Sequence, residues 1–272
     1  MHFFRTEKKY HTPTVPIGQP RLGKMLQFQT VLGRWYRAGL GLIFPPRCAC
    51  CRGELPADAE LLICTECCRE LTGSPNKLCS RCGAIDPGIL YETDGCQLCR
   101  RNKFHFEKVV ALGRYDGLLH WAIARMKEPA GRVLTVALAQ LMMLKRGEML
   151  QRLDAHLVVP VPMYWAKRLW RGVNNTELLA EQLAHQLGLP VRRALIRNRN
   201  TLPQASLRPR ERFANVRGAF TAQTIRAISG KSVLLVDDVL TTGATCSEAA
   251  RTLVQAGASR VVVAVIARGQ GN

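Results

Sequence analysis

Two groups of residues in this chain have the types and spacing to do chemistry. The first lies between Val233 and Thr245, in the run Val-Leu-Leu-Val-Asp-Asp-Val-Leu-Thr-Thr-Gly-Ala-Thr. Asp237 and Asp238 supply paired carboxylates, suited to accepting hydrogen bonds from a vicinal diol and to lying near a magnesium ion. Thr241, Thr242, Gly243, Ala244 and Thr245 supply hydroxyls and a turn that opens a helix. The first N–H groups of a helix have no carbonyl partner and carry the positive end of its dipole, so such a turn cradles phosphate. A phosphate at one end and a diol at the other describe a ribose 5-phosphate.

The second group is sulfur. Ten of the eleven cysteines fall between Cys48 and Cys99. Eight form Cys-x-x-Cys pairs: Cys48/Cys51, Cys64/Cys67, Cys79/Cys82 and Cys96/Cys99, separated by 12, 11 and 13 residues. Each pair aims two sulfurs at one ion from a tight turn, and two pairs complete a tetrahedral site. Eight ligands make two structural Cys₄ zinc sites. Pairing in sequence order is the reading adopted; a cross-braced order, first pair with third, fits the spacing too. Cys50 and Cys68 adjoin ligands and read as spectators, although Cys50 could stand in for Cys48 or Cys51.

The elements that position these groups are set by hydrophobic patterning. Val233–Val236 is a continuous apolar run, the mark of a strand buried on both faces in a parallel sheet. A helix follows Thr245, with Ala249, Ala250 and Leu253 inward and Gly257 past its end. Leu157–Val161 is a second such strand. It leads into a basic loop with Lys167, Arg168 and Arg171, then a helix started by Asn174 or Asn175 and ended by Gly188. Strands are also expected at Val109–Leu112 and Arg260–Ala267. Helices are expected over Leu118–Lys127, with Trp121 on its apolar face, and over Val133–Leu153. The stretch from Arg197 to Arg217 holds six arginines with little apolar periodicity. It reads as a long basic loop, a flap over the anion site.

The chain has 272 residues, 47% hydrophobic and 22% charged, which suits a globular fold. Its formal charge is +19; eight thiolates on two zinc ions would lower this to about +15. Such an excess favours polyanions. Residues 1–24 are polar and proline-containing, with Met25 as an alternative start. A helix over 25–44 packs on its own domain or lies on a membrane surface. No signal peptide and no apolar run long enough for a membrane helix is visible. A cytoplasmic location is therefore expected, with peripheral membrane contact as the alternative.

The run Val233–Thr245 resembles the phosphoribosyl pyrophosphate (PRPP) signature of type I phosphoribosyltransferases. The wider pattern resembles the ComF family of competence-associated proteins and its proteobacterial branch linked to use of external DNA. The elements that carry it are Phe44-Pro45-Pro46-Arg47-Cys48, the paired cysteines, Arg114-Tyr115-Asp116-Gly117 and Val159-Pro160-Val161-Pro162. They continue with Arg171-Gly172-x-Asn174, Arg197-x-Arg199-x-Thr201-x-Pro203-Gln204 and Asn215-Val216-Arg217-Gly218-Ala219-Phe220. Val173 and Asn175 depart from the family's Phe and Gln beside Asn174, so that glutamine's contact is not carried over.

The resemblance implies an α/β, type I phosphoribosyltransferase-like domain with a central parallel sheet at 104–272. A double zinc ribbon at 47–103 precedes it, after a tail and short helix at 1–46. It implies PRPP, with magnesium, on Asp237, Asp238 and Thr241–Thr245. Pyrophosphate would lie on Lys167, Arg168 and Arg171 and under a flap with Arg197, Arg199, Thr201 and Gln204. The expected role is a PRPP-binding accessory to uptake or use of external DNA, with single-stranded DNA or the uptake machinery as partner. An active phosphoribosyltransferase of the salvage type, acceptor unknown, and a PRPP-sensing nucleic-acid-binding regulator are the alternatives.

Overall fold

The computed structural model describes residues 45–73, 79, 81–84, 96–164, 174–202 and 207–269. Contacts divide the chain into residues 1–45 and 46–272, and the strands and helices of the described residues all belong to the second unit. The helix expected over 25–44 lies outside the described residues.

Four strands form one parallel sheet: β1 (Val109–Arg114), β2 (Leu157–Pro160), β5 (Ser232–Leu240) and β6 (Arg260–Arg268), in the order β1-β6-β5-β2. Its apolar runs bury both faces by alternation. Val110, Leu112, Val158, Leu234, Val236, Val262 and Ala264 point into one hydrophobic cluster. Val109, Ala111, Val159, Val233, Leu235, Val261 and Val263 point into the other. Helices α3 (Gly117–Met126), α4 (Arg132–Gln151) and α5 (Asn175–Leu187) cover the first face. Helix α8 (Ala244–Gln255) and a two-stranded antiparallel ribbon, β3 (Leu195–Arg197) with β4 (Phe220–Ala222), cover the second.

The cysteine segments are built into this core. Cys48, Cys67 and Leu71, the last two on α1 (Thr65–Thr72), join the first cluster. Cys79, Cys82, Cys96 and Cys99, the last on α2 (Gln97–Arg101), join the second. Residues on both sides of position 103 thus share the same two clusters, and the cysteine groups lie against opposite faces of the sheet.

The stretch read as a basic loop between Arg197 and Arg217 contains helix α6 (Pro209–Val216). Apolar periodicity missed it because its start is set by caps. Pro209 takes the first helical position, where its missing N–H is harmless, and Glu211 accepts from the Arg208 amide at 3.0 Å. A short helix α7 (Ile225–Ile228) precedes β5.

Asn174 caps α5 by accepting from the Thr176 amide at 3.2 Å. Asn175, a departure from the family pattern, is buried and donates through Nδ2 to the Met126 carbonyl at the end of α3. Thr135 Oγ1 donates to Asn175 Oδ1 at 3.5 Å. Asn175→Ala strands a buried carbonyl and is expected to cost about 1–3 kcal/mol of stability. A urea unfolding midpoint unchanged from the parent would contradict this.

Candidate functional site

The pairing of β5 defines the site. On one side β2 pairs from Leu157↔Val233 to Pro160↔Val236 and then stops. On the other side β6 pairs on through Val239↔Ala267 to Leu240↔Arg268. The strand therefore runs four residues past the Val236 end expected for it, held by β6 alone. Asp237 and Asp238 lie in this half-paired stretch, beside the C-terminal end of β2. In open parallel sheets ligands bind at the carboxyl ends of strands.

The two carboxylates have different environments. Asp238 Oδ2 is 3.0 Å from Lys127 Nζ, the residue that follows α3. Burial opposes the Lys127 charge, but Asp238 and, more weakly, Asp237 outweigh it and hold the ammonium above its ordinary range. Asp237 Oδ1 accepts from the Asp238 amide at 2.9 Å, and its Oδ2 lies 3.6 Å from the Cys246 thiol. Burial, reinforced by the Asp238 charge, pushes Asp237 up to about 7. Burial beside these carboxylates also pushes the Cys246 thiol well above its ordinary value. Cys246 is 1% exposed and packs as a small core residue.

Beyond Leu240 the chain turns through Thr241, Thr242 and Gly243 into α8, and Val239–Cys246 line a small concavity of about 20 Å³. Gly243 is required twice. Its φ is +84°, and a Cβ there would come within 2.8 Å of Phe104 Cε1. As the residue before α8, it leads into that helix's first turn, whose N–H groups have no carbonyl partner within the helix; the Ala244 amide donates to Thr242 Oγ1 at 3.4 Å. Arg212, on α6, donates to Thr241 Oγ1 at 3.3 Å.

Of the residues expected to serve pyrophosphate, Lys167, Arg168, Arg171 and Gln204 lie outside the described residues. Arg197 reaches Thr201 Oγ1 and lies over the Phe220 ring at 5.6 Å. Burial lowers its guanidinium, and the attraction of Asp237 partly offsets that. Arg199 donates to the Asn215 and Arg217 carbonyls, both at 2.8 Å, and so closes the β3–β4 segment on itself. Lys127, paired with Asp238, was not legible as a site residue. A lysine at a helix end is ordinary, and its contact with Asp238 spans more than a hundred residues.

The eight cysteines gather as Cys48, Cys51, Cys64, Cys67 and as Cys79, Cys82, Cys96, Cys99, the sequential pairing. A tetrahedron with zinc–sulfur bonds of about 2.3 Å has sulfurs about 3.8 Å apart. The sulfurs of Cys51 and Cys64 are 3.8 Å apart, of Cys79 and Cys99 3.8 Å, of Cys82 and Cys96 3.5 Å, and of Cys96 and Cys99 4.0 Å. Both clusters fit zinc, and both are closed by four thiolates, which suits a structural ion. Cys50 and Cys68 stand outside the groups.

Fold and strand-end turn together define a phosphoribosyltransferase-type domain, and the phosphoribosyl transferase domain family matches residues 175–271. The similarity to known proteins extends further. Competence protein F of Haemophilus influenzae is 30% identical over 229 residues, covering 82% of this chain and 96% of that protein. DNA utilization protein YhgH of Salmonella typhimurium is 31% identical over 236 residues, covering 84% and 99%. The protein of that name in Escherichia coli K12 is 31% identical over 234 residues, with the same coverage. The chain belongs to this competence protein F and DNA utilization protein family.

Metal content and pH dependence both report on these groups. Elemental analysis of reduced protein should find two zinc ions per chain, and Cys51→Ser and Cys99→Ser should each retain one; metal-free folded protein would exclude the assignment. Asp237 titrates higher folded than unfolded, so the folded state holds a proton that the unfolded state has lost. Stability should fall as pH rises from about 4 to about 7 for this group. Asp237→Asn should flatten that segment, with its advantage over the parent growing toward pH 8 in thermal unfolding.

Proposed function

We propose that this protein binds PRPP, with magnesium, at the end of β5 and serves the uptake or use of external DNA in the cytoplasm. One observation carries the reading. The acidic pair lies on a strand end left open by β2, just before the turn that opens α8, in a chain that covers almost the whole of competence protein F. Asp237 and Asp238 take the ribose hydroxyls. The turn Thr241–Thr245 takes the 5-phosphate. Lys127, Arg197 and Arg212 surround them with positive charge, and Lys167, Arg168 and Arg171 are assigned to pyrophosphate. Zinc holds the cysteine segments.

A transferase reading has one feature in its favour. A groove of about 210 Å³ beside the end of β2, lined by Pro160, Pro162, Leu195, Ile196 and Arg197 among others, has room for a planar acceptor. For DNA, the net charge of +19 supplies the attraction. Trp121, expected on an apolar helix face, is instead 40% exposed with the Arg125 guanidinium 5.3 Å from its ring centroid, a surface on which a base can stack. Among the described residues no helix is long and apolar enough to cross a membrane.

Calorimetric titration with PRPP and magnesium tests the site. Asp237→Asn with Asp238→Asn should weaken binding at least about tenfold, since each charge-assisted hydrogen bond is worth about 1.5–3 kcal/mol. Equal affinity would make the acidic pair architectural. Pyrophosphate release with free bases would establish turnover. Affinity for a single-stranded 30-mer should fall linearly with salt on logarithmic axes, by about 0.7 per phosphate contacted; no binding at low salt would leave the charge to a protein partner.

A further inference from the structure

The second cysteine cluster touches the phosphate turn through two independent contacts. The first is Arg268, the last residue of β6 and only 1% exposed. Its Nε donates to the Cys82 carbonyl at 2.9 Å, inside a metal-ligand turn. Its Nη1 donates to the Leu240 carbonyl at 3.0 Å and also to the carbonyls of Thr241 and Gly269. One planar group thus holds a ligand turn and the start of the phosphate turn in fixed relation. Only a fork of donors does this.

The second contact is the segment that follows α2. Phe104 stacks on Phe106 with ring centroids 4.8 Å apart, and its edge fills the space beside Gly243. The next residue, His105, donates its amide to Ser247 Oγ at 3.2 Å, in the first turn of α8. Both Phe104 and Phe106 share the buried cluster that contains Cys79, Cys82, Cys96 and Cys99. Among the described residues, the first cysteine cluster makes no such approach. It packs through α1 against β1 and α3, on the opposite face.

Charge points the same way. Among the described residues, no ion pair to a carboxylate is found for Arg268, and a buried cation without a counter-charge is costly. Four thiolates around one divalent zinc leave a net charge of −2 beside it. A filled second site therefore stabilises the guanidinium in place, and an emptied one does not.

We propose that the cluster Cys79, Cys82, Cys96 and Cys99 is the prop of the phosphate turn. Arg268 is the positioning residue between them. Metal at this site and a phosphoribosyl ligand at the turn strengthen each other, whereas metal at the first site is indifferent to the ligand. The ligand half of this inference rests on the PRPP reading above; the prop itself does not. Coupling of two binding events is reciprocal, so each must raise the affinity of the other by the same factor, expected to be at least about fivefold.

The full-length, zinc-loaded protein tests this. In a chelator competition with and without PRPP and magnesium, one of the two zinc ions should be held at least fivefold more tightly when PRPP is present. Cys51→Ser, which keeps the second site, should retain that protected zinc and bind PRPP within twofold of the parent. Cys99→Ser should lose both the protection and at least fivefold in PRPP affinity. Its backbone amides over 240–247 should exchange faster with deuterium. Arg268→Met should do likewise with both cysteine clusters intact in sequence, and Arg268→Lys should fail to restore the turn. Equal protection of both zinc ions or of neither, or equal losses from Cys51→Ser and Cys99→Ser, would overturn the coupling. If the parent binds no PRPP, the PRPP reading fails and the exchange measurement alone decides. Amides over 240–247 that do not respond to loss of the second zinc would then refute the prop. Should the cysteine variants not fold, the competition on the parent and the exchange of Arg268→Met still give the answer.

Discussion

Strand β5 has two neighbours as far as Val236 and one neighbour from there to Leu240, and the site depends on that asymmetry. The pairing with β6 keeps Asp237 and Asp238 on a rigid strand. The departure of β2 opens the edge beside them. The same continuation of β6 delivers Arg268 beneath the turn that begins at Thr241. Had β6 ended with β2, the carboxylates would sit on a loop and the turn from Thr241 would have no floor. A rigid element with one free edge gives both precision and access.

Electrostatics at this edge oppose the character of the whole chain. The protein carries a large positive charge, yet the centre of its site is a carboxylate pair in which Asp237 is pushed to about 7 by burial and by its neighbour. Lys127 answers Asp238 at 3.0 Å, and the Asp237 charge partly offsets the burial of Arg197. This edge therefore places hydrogen-bond acceptors and cations side by side.

Legibility of the sequence followed the range of the interactions. Local patterns were readable. The apolar run, the acidic pair and the Thr-Thr-Gly-Ala-Thr turn appear in the structure in the expected order, and the cysteine spacing foretold both groups of four. The helix from Asn175 to Leu187 has its expected cap and its glycine stop. Helix α6 escaped because it has no apolar stripe and is specified by Pro209 and Glu211. The extent of β5 escaped because strand length past the apolar run is decided by its partner. Lys127, Phe104 and Arg268 escaped because their roles are tertiary: the guanidinium of Arg268 meets a carbonyl 186 positions away. The sharing of both buried clusters between the cysteine segments and the sheet was equally invisible, since each segment looks self-sufficient when its metal ligands are counted alone.

The strand order β1-β6-β5-β2 bears on how such a chain comes together in time. Strand β6 follows the other three in sequence but lies between β1 and β5. During synthesis β1 leaves the ribosome first and has no partner in the sheet until β6 emerges. The first helices must meanwhile shelter its apolar faces. Closing those distant contacts costs a large loop entropy, and topologies of this kind fold slowly. Strands β2 and β5 pair directly, but the sheet is not complete until β6 is available. A nascent chain stalled before Arg260 would expose an unpaired apolar strand and present the cell with a substrate for chaperones rather than a half-built protein.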